Sequence, residues 1–206
     1  MLKCDVKKFF DSIDQEILLD LLKDKIKDEN TVYLISKIIQ SYSALPGKGI
    51  PLGNITSQLF ANVYLDVLDK FVKHNLKVRY YIRYCDDFLI LGVNENILKN
   101  IIVLVGNFLQ ERLKLHLQPD KTILQRYGRG VDFLGYVCFS YFCILRSKTK
   151  NRMIRNIKNK MSYFNLGEIT KESLNHTINS YLGVLRHCNS YKLGETVRSL
   201  LRENVF

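Results

Sequence analysis

Apolar residues recur at every third or fourth position in four stretches of the first 113 residues. This spacing is typical of helices that bury one face. The first predicted helix begins near residue 12, where Ser12 and Gln15 are spaced as a capping box. The third, over 55–74, directs Leu59 and Leu68 inward. The other two cover about 31–41 and 97–113.

Shorter apolar runs bounded by turn residues predict the strands. A short strand lies at 2–6, and a hairpin joins 78–84 to 87–91. The segment 115–124 is extended and is interrupted by Pro119. A second hairpin joins 131–138 to 142–145. The segment 44–53 is rich in Gly and Pro, which predicts a loop.

These elements predict an α+β fold in which an antiparallel sheet packs on helices. The composition changes after residue 145, since residues 146–160 hold seven basic residues and no acidic one. Helical spacing continues from there to the end. We therefore predict two domains, an α+β body over 1–145 and a basic helical appendage over 146–206.

Charge is concentrated in the C-terminal part of the chain. The formal net charge is +11, and residues 141–206 contribute +8 of it with 12 Lys/Arg against 4 Asp/Glu. Basic side chains that replace counterions on phosphates favour binding to nucleic acid. Solubility alone and an anionic membrane surface are the other interpretations of this excess.

The five cysteines show no CxxC pair and are odd in number. We interpret them as free thiols in a reducing compartment, with no zinc site. A charge follows the first two residues, which does not fit a signal peptide. The longest apolar run, 101–105, is far shorter than the roughly 20 residues of a membrane span. We expect a soluble, cytoplasmic protein with no membrane partner.

The sequence Tyr84-Cys85-Asp86-Asp87 places two adjacent carboxylates at the tip of the first hairpin. Adjacent residues of a strand face opposite ways, but a tight turn can aim both at one point. Carboxylate oxygens are the ligands that Mg²⁺ prefers. In isolation the pair would also fit a solvated turn, because Asp is a favoured turn residue.

Asp5 lies within the apolar strand at 2–6, where a charged side chain needs a partner or a metal. If this strand lies beside the hairpin, Asp5, Asp86 and Asp87 converge. Three carboxylates can hold two Mg²⁺ ions about 4 Å apart, which aligns both oxygens of an in-line phosphoryl transfer. A surface position for Asp5 is the alternative.

Six segments, in order, resemble the motifs of reverse transcriptases, particularly bacterial ones related to group II introns and diversity-generating retroelements. The segments are Asp5-Val6-Lys7-Lys8-Phe9-Phe10-Asp11, 49–58 (GIPLGNITSQ), Tyr84-Cys85-Asp86-Asp87, 117–122 (LQPDKT), Phe133-Leu134-Gly135-Tyr136, and Tyr181-Leu182-Gly183 with His187-Cys188. The resemblance covers nearly the whole chain. It implies a polymerase palm over 1–145 and a helical thumb over 146–206.

The resemblance also assigns roles. Asp5, Asp86 and Asp87 would bind two Mg²⁺ ions, which Mn²⁺ can replace, and Lys121 would act near the triphosphate. Phe10 would pack under the deoxyribose and exclude a 2′-hydroxyl. The residues that would line the nucleotide pocket are Val6, Phe10, Pro51, Leu52, Gly53, Tyr84 and Cys85. Those that would bind the primer and duplex are Phe133, Leu134, Gly135, Tyr136, Arg146, Lys148, Lys150 and Arg152.

The implied partners are an RNA template, a DNA primer and deoxynucleoside triphosphates. Whether an accessory protein or a structured RNA takes part is open. Leu52 and Gln58 stand where most of the family has Gln and Pro. Their pattern resembles the diversity-generating branch, whose enzymes miscopy template adenines. Loss of an amide in the nucleotide pocket would remove a polar contact that could check the incoming base.

In the family a fingers region precedes the first aspartate, whereas here only four residues precede Asp5. We expect the fingers to be absent and the isolated chain to bind nucleic acid and metal but polymerise poorly. A truncated gene, a partial chain and a start at an internal Met all fit. Two other functions remain open, a nucleic-acid-binding or maturase-like remnant and another palm enzyme such as a nucleotide cyclase. The predicted primer hairpin and basic thumb disfavour the cyclase.

Overall fold

The first 125 residues are built on a four-stranded antiparallel sheet. Its strands are β1 (Leu2–Cys4), β2 (Tyr80–Tyr84), β3 (Asp87–Leu91) and β4 (Ile123–Leu124), in the order β2-β3-β1-β4. The computed structural model describes residues 1–92 and 94–204. Because β1 pairs with β3 on one side and β4 on the other, the N-terminal strand is an inner strand of the sheet.

Five helices pack with this sheet around one hydrophobic core. They are α1 (Phe9–Ser12), α2 (Gln15–Lys25), α3 (Glu29–Gln40), α4 (Ile55–Lys70) and α5 (Glu95–Leu113). A π-helical turn, Phe71–Asn75, follows α4, and 3₁₀ turns lie at Pro119–Lys121 and Tyr127–Arg129. The helices and strands predicted for residues 1–113 are therefore present, with bounds that differ by a few residues. The segment predicted to be extended over 115–124 instead contains a 3₁₀ turn and ends in the two-residue strand β4.

The start of α2 differs from the predicted capping box. The N-cap is Asp14, whose carboxylate accepts a hydrogen bond from the N–H of Ile17 at 3.2 Å. Gln15 is buried, and its amide donates to the carbonyl oxygens of Tyr42 at 2.7 Å and Gly49 at 2.8 Å. Because that amide anchors the loop at 44–53, it does not reach back to cap the helix.

The buried face of α4 also differs from the prediction. Leu68 is buried as expected, but Leu59 is 61% exposed, while Phe60 and Tyr64 are buried. Apolar residues occur on most sides of this helix, so their spacing alone does not identify the face that packs on the core.

The second unit, Arg126–Phe206, begins with three short antiparallel strands and continues as helices. The strands are β5 (Val131–Phe133), β6 (Tyr136–Cys138) and β7 (Cys143–Leu145), and the helices are α6 (Ser147–Asn165), α7 (Lys171–Leu185) and α8 (Tyr191–Asn204). The single strand predicted over 131–138 is itself a hairpin. Leu134 and Gly135 turn the chain with φ of 52° and 86°.

The units divide at residue 125, twenty residues before the predicted boundary at 145. The reason is the packing of the small sheet. Leu145 and Tyr136 join the core that Met153 and Ile157 of α6 form. The small sheet therefore belongs with the helices that follow it. The identification of residues 1–145 as palm and 146–206 as thumb stays a prediction.

The prediction of five free thiols is wrong. Cys138 and Cys143 form a disulfide, whereas Cys4, Cys85 and Cys188 are free. The bonded pair lies directly opposite on β6 and β7. Facing side chains of antiparallel strands approach closely, and this proximity depends on a register that composition does not reveal. None of the helices in residues 1–92 and 94–204 has the length and apolar character needed to cross a membrane.

Candidate active site

The pairing of β1 with β3 brings Asp5 to the β2–β3 hairpin. The register sets Cys4 opposite Phe88, so its continuation by one residue sets Asp5 opposite Asp87. Asp5 is only 7% exposed, and its carbonyl oxygen accepts a hydrogen bond from the N–H of Gln118 at 2.8 Å. The sheet thus fixes the backbone that carries this carboxylate.

The hairpin that carries the other two carboxylates turns over two residues. Tyr84 at the end of β2 pairs with Asp87 at the start of β3, and Cys85 and Asp86 connect them. Cys85 has a φ of 51°, in the left-handed region that costs non-glycine residues about 1–2 kcal/mol. A tight and strained turn therefore holds Asp86 and Asp87 beside Asp5.

The charges of this cluster oppose one another. Burial raises the pKa of the Asp86 carboxyl above its usual value, and the negative charges of Asp5 and Asp87 raise it further. Burial also raises the pKa of the Asp87 carboxyl, with Asp5 adding to the effect and Lys3 opposing it. Half-buried carboxylates that destabilise one another in their charged forms are suited to bind cations.

Two lysines partly neutralise the cluster. Lys121 Nζ lies 2.9 Å from Oδ2 of Asp5, and Lys3 Nζ lies 3.8 Å from Oδ1 of Asp87. The hydrogen bond to Asp5 raises the pKa of Lys121, and the charges of Asp86 and Asp87 contribute. All four residues predicted to carry catalysis, Asp5, Asp86, Asp87 and Lys121, therefore lie together.

The donor set fits a hard divalent cation, because carboxylate oxygens are its preferred ligands and these carboxylates repel one another. Within residues 1–92 and 94–204, however, no three His, Cys, Asp or Glu side chains lie in an arrangement that would hold a metal ion. The ammonium group of Lys121 contacts one oxygen of the Asp5 carboxylate. A cation at this site would require Lys121 to release that oxygen.

The residues predicted to line the nucleotide pocket come from three segments. Val6 is buried, with 1% of its surface exposed, so its side chain belongs to the core rather than to a pocket. Phe10 is half-buried and packs edge-to-face on Phe9 with ring centroids 5.4 Å apart. Its carbonyl oxygen accepts a hydrogen bond from the N–H of Ile50 at 3.0 Å. This bond brings the chain that leads into the loop at 51–53 beside the residue predicted to exclude a 2′-hydroxyl.

The loop itself is open to solvent. Leu52 is 68% exposed, and Gly53 has a φ of +96°, a conformation that favours glycine. Pro51 is half-buried, Tyr84 is 59% exposed and Cys85 is half-buried. The structure thus leaves Leu52, Gly53 and Tyr84 accessible to a ligand.

Comparison with known protein families shows which family the chain belongs to. Residues 1–138 match the family described as "Reverse transcriptase (RNA-dependent DNA polymerase)". The chain belongs to the reverse transcriptase family. The match includes the carboxylate cluster, the lysine motif and the β5–β6 hairpin, so the predicted resemblance is confirmed.

Two relatives of the chain are proteins encoded in introns. The chain is 25% identical to a putative COX1/OXI3 intron 2 protein of Saccharomyces cerevisiae, with 66% of this chain and 23% of that protein aligned. It is 27% identical to the group II intron-encoded protein LtrA of Lactococcus lactis subsp. cremoris, with 64% and 33% aligned. The chain thus spans a third or less of the length of these relatives.

Solved structures show the same fold. The chain superposes on telomerase from Candida albicans, in complex with a fragment of telomeric RNA, with a TM-score of 0.52 and 13% identity over 86% of this chain and 39% of that one. The superposition on telomerase from Candida tropicalis has a TM-score of 0.53 and 16% sequence identity, and it covers 98% of this chain and 39% of that one. The α+β polymerase fold predicted from sequence is confirmed.

The residues that were predicted to bind the primer lie in the second unit. Phe133, Leu134, Gly135 and Tyr136 form the turn between β5 and β6, with Leu134 half exposed. The Tyr136 hydroxyl donates to the carbonyl oxygen of Val184 in α7 at 3.0 Å. The ring of Tyr136 therefore supports the helical core, and Leu134 is the most exposed side chain of the turn.

The basic residues at the start of α6 fall into two groups. The Arg146 guanidinium donates to the carboxylate of Asp132 in β5, and the backbone N–H of Arg146 donates to the carbonyl oxygen of Gly135 at 2.9 Å. Arg146 therefore links the β5–β7 sheet to the start of α6. Lys148, Lys150 and Arg152 are exposed and remain the better candidates for phosphate contacts.

Sequence reasoning missed a polar network behind the β2–β3 hairpin. Arg83, three residues before Asp86, is 9% exposed at its side chain and forms an ion pair with Asp69 of α4 at 2.5 Å. The sequence shows Arg83 directly before the Tyr84–Asp87 motif. It also shows that Arg83 and Tyr81 are two residues apart on β2, so both side chains lie on the inner face of the strand. An arginine on the inner face of a strand requires a partner, and that requirement was the available signal.

Proposed function

We propose that this chain carries the catalytic centre of an RNA-directed DNA polymerase. It adds deoxynucleotides to the 3′-hydroxyl of a DNA primer on an RNA template. The observation that carries the proposal is the meeting of Asp5, Asp86 and Asp87, from two segments of the chain, beside Lys121. Membership of the reverse transcriptase family supports the reaction class.

The carboxylates of Asp5, Asp86 and Asp87 would hold two Mg²⁺ ions, with Mn²⁺ as a substitute. Bound there, such ions activate the primer hydroxyl and neutralise the triphosphate and the leaving pyrophosphate. The raised pKa values of Asp86 and Asp87 support this assignment, because a cation removes the repulsion that burial and like charge create.

The remaining residues position the substrate. Lys121, released from Asp5, would place its ammonium group against the triphosphate oxygens and supply charge or a proton to the leaving group. Phe10 would pack under the deoxyribose and select against a 2′-hydroxyl. Leu52 and Gly53 would lie along the nucleotide, where glycine lets the backbone approach closely.

The second unit would bind the primer and the template duplex. It carries +9 of the net charge of +11, and its α6 exposes Lys148, Lys150 and Arg152. Charge of this kind supports affinity through counterion release without regard to sequence. The turn at Phe133–Tyr136 would contact the primer end.

Within the family, we propose that the chain belongs to the diversity-generating sub-branch. Leu52 stands where most of the family has Gln, and it is 68% exposed. An apolar side chain beside the nucleotide gives no hydrogen bond that would penalise a mispair. The intron-encoded relatives favour the other sub-branch, so template choice and fidelity are the properties to measure.

A maturase-like RNA-binding protein without polymerase activity is the second candidate. The positive charge of the second unit favours it, as do relatives that are intron proteins. The two functions separate in one experiment that measures both binding and extension of a DNA primer annealed to RNA. Extension in Mg²⁺ or Mn²⁺ supports the polymerase, whereas tight binding with no extension supports the second candidate. The cytoplasmic location stays a prediction.

A further inference from the structure

Arg83 lies at the centre of a polar network directly behind the carboxylate turn. It belongs to β2 and its side chain is 9% exposed, so the guanidinium is almost fully removed from water. A buried charge of this kind destabilises a protein unless each donor finds an acceptor. The identity and position of those acceptors show what the side chain holds in place.

The acceptors come from a helix and from the turn. Nε and Nη2 of Arg83 donate to the two carboxylate oxygens of Asp69, at 2.8 and 2.5 Å. Nη1 donates to Oδ1 of Asn62 at 3.1 Å and to the carbonyl oxygen of Cys85 at 3.0 Å. Only a planar guanidinium presents donors in this fork.

The helix provides a rigid anchor. Asn62 and Asp69 are seven residues apart in α4, so they lie on the same face two turns from each other. Asp69 also accepts a hydrogen bond from the Tyr81 hydroxyl at 2.7 Å, which fixes its carboxylate. The buried residues Tyr64, Leu65 and Leu68 hold α4 in the core.

The turn requires such an anchor for two reasons. Cys85 is in the left-handed region, where a residue with a Cβ atom is strained. Asp86 and Asp87 also repel each other and Asp5 when no cation is bound. Both effects favour relaxation of the turn away from the conformation that brings the carboxylates together. The hydrogen bond from Arg83 to the Cys85 carbonyl opposes that relaxation.

We propose that Arg83 is a positioning residue, which holds the Cys85–Asp86 turn on α4 so that the carboxylates of Asp86 and Asp87 are set for metal binding. The role rests on the metal site of the proposed function. Arg83 acts through the backbone of the turn and does not touch the reacting groups. Asp69 acts with it as its anchor.

The variant Arg83→Lys distinguishes a role in positioning the turn from general support of the fold. Arg83→Lys keeps the positive charge beside Asp69 but cannot reach Asp69, Asn62 and Cys85 together. Asn62→Ala is a milder variant, because Asn62 is exposed and its loss leaves the ion pair intact. Arg79→Lys is the matched control, since Arg79 is exposed and lies one residue before β2.

The experiment is a titration of the full chain with Mn²⁺, followed by electron paramagnetic resonance. It is made at a temperature where circular dichroism shows every variant folded. Replacing a residue that orients metal ligands weakens metal affinity by about 10–100-fold. We expect a loss of about tenfold or more for Arg83→Lys and for Asp69→Asn, a smaller loss for Asn62→Ala, and none for Arg79→Lys. The double variant Arg83→Lys/Asp69→Asn should lose little beyond either single one.

The outcomes are distinct. If Arg83→Lys lowers the melting temperature but binds Mn²⁺ as tightly as the wild type, Arg83 only supports the fold and the inference is overturned. If Arg83→Lys does not fold, unchanged affinity in Asn62→Ala overturns it and weakened affinity supports it. If the wild type itself binds no Mn²⁺, the proposed metal site fails, and the positioning role fails with it.

Discussion

The ammonium nitrogen of Lys121 lies 2.9 Å from Oδ2 of Asp5, although 116 positions separate the two residues in the sequence. The lysine therefore occupies an oxygen that a divalent cation would use. The same side chain would turn to the triphosphate when the site is loaded. In the proposed function, Lys121 and a metal ion would therefore compete for one carboxylate.

Replacement of Lys121 should affect metal affinity and activity in opposite directions. In Lys121→Met, Asp5 loses its competing partner and the site loses a positive charge, so Mn²⁺ should bind more tightly. Since exposed ion pairs are weak, the gain should not exceed about fivefold. Nucleotide incorporation should fall, because no ammonium group is left to contact the triphosphate. Paramagnetic titration and primer extension measure the two effects.

Lys99→Met is the control for that experiment, because Lys99 is exposed and pairs with Glu95 on α5. It should change neither quantity. A Lys121→Met protein that binds Mn²⁺ more weakly than the wild type would contradict the competition between lysine and metal.

The pairing of Asp14 with Lys114 should make the stability of the first unit depend on pH. Burial opposes ionisation of Asp14, but the hydrogen bond from Lys114 and the N–H of Ile17 outweigh it and lower the pKa. A carboxyl group with a lowered pKa stabilises the fold above its unfolded value of 3.8, and this stability is lost as the pH falls through the folded pKa.

Asp14→Asn tests this dependence, because Asn still caps α2 but loses the ion pair. At pH 7 the variant should melt a few degrees below the wild type, and the gap should close below pH 3.8. Thermal melts followed by circular dichroism, from pH 7 to below pH 3.8, measure the difference in melting temperature between the variant and the wild type. Asp20→Asn, at an exposed position of α2, should show no gap. A gap of the same size at every pH would contradict the assignment.

Much of this architecture can be predicted from the sequence. Hydrophobic periodicity predicts most of the helices and strands, and the motifs that contain Asp5, Asp86 and Asp87 predict the candidate site. Asp5, Asp86 and Asp87 were predicted to converge since a buried strand seldom carries a charge without a partner. The capping box failed because Gln15 bonds to the distant carbonyls of Tyr42 and Gly49. The disulfide between Cys138 and Cys143, only five residues apart, was missed because it depends on the register of β6 and β7. The Arg83 network was missed because it joins β2 to residues of α4, which local spacing does not encode.

Leu52 should influence copying fidelity more than stability. Leu52→Gln restores the amide that most of the family has, so misincorporation opposite template adenines should fall relative to other bases. The side chain is 68% exposed, and substitutions at such positions change stability by about 0.5 kcal/mol or less. Sequencing of extension products on a defined RNA template measures the error spectrum.

An unchanged spectrum in Leu52→Gln would count against the diversity-generating sub-branch. Leu59→Gln is the matched control, since Leu59 is similarly exposed on α4. It should leave the spectrum unchanged.

The exposed basic residues of α6 should determine how salt affects nucleic-acid binding. If Lys148, Lys150 and Arg152 each contact a phosphate, replacing all three by Gln removes three counterion-release events. The slope of log K against log salt concentration should become shallower by about 2–3. Fluorescence anisotropy with a labelled primer–template duplex measures the slope. Lys23→Gln in the first unit should leave it unchanged, and an unchanged slope in the triple variant would exclude α6 as the phosphate-binding helix.

The central claim is that the Asp5, Asp86 and Asp87 cluster catalyses nucleotide addition. It is tested most directly by deoxynucleotide incorporation on an RNA template with a DNA primer, in Mg²⁺ and in Mn²⁺, with Asp86→Asn beside Asp20→Asn. Circular dichroism melts of both variants show whether any loss of activity reflects unfolding. We predict weak but measurable incorporation by the wild type and by Asp20→Asn, and none by Asp86→Asn. Equal incorporation by Asp86→Asn would contradict the claim, as would binding of the duplex by the wild type with no incorporation in either metal.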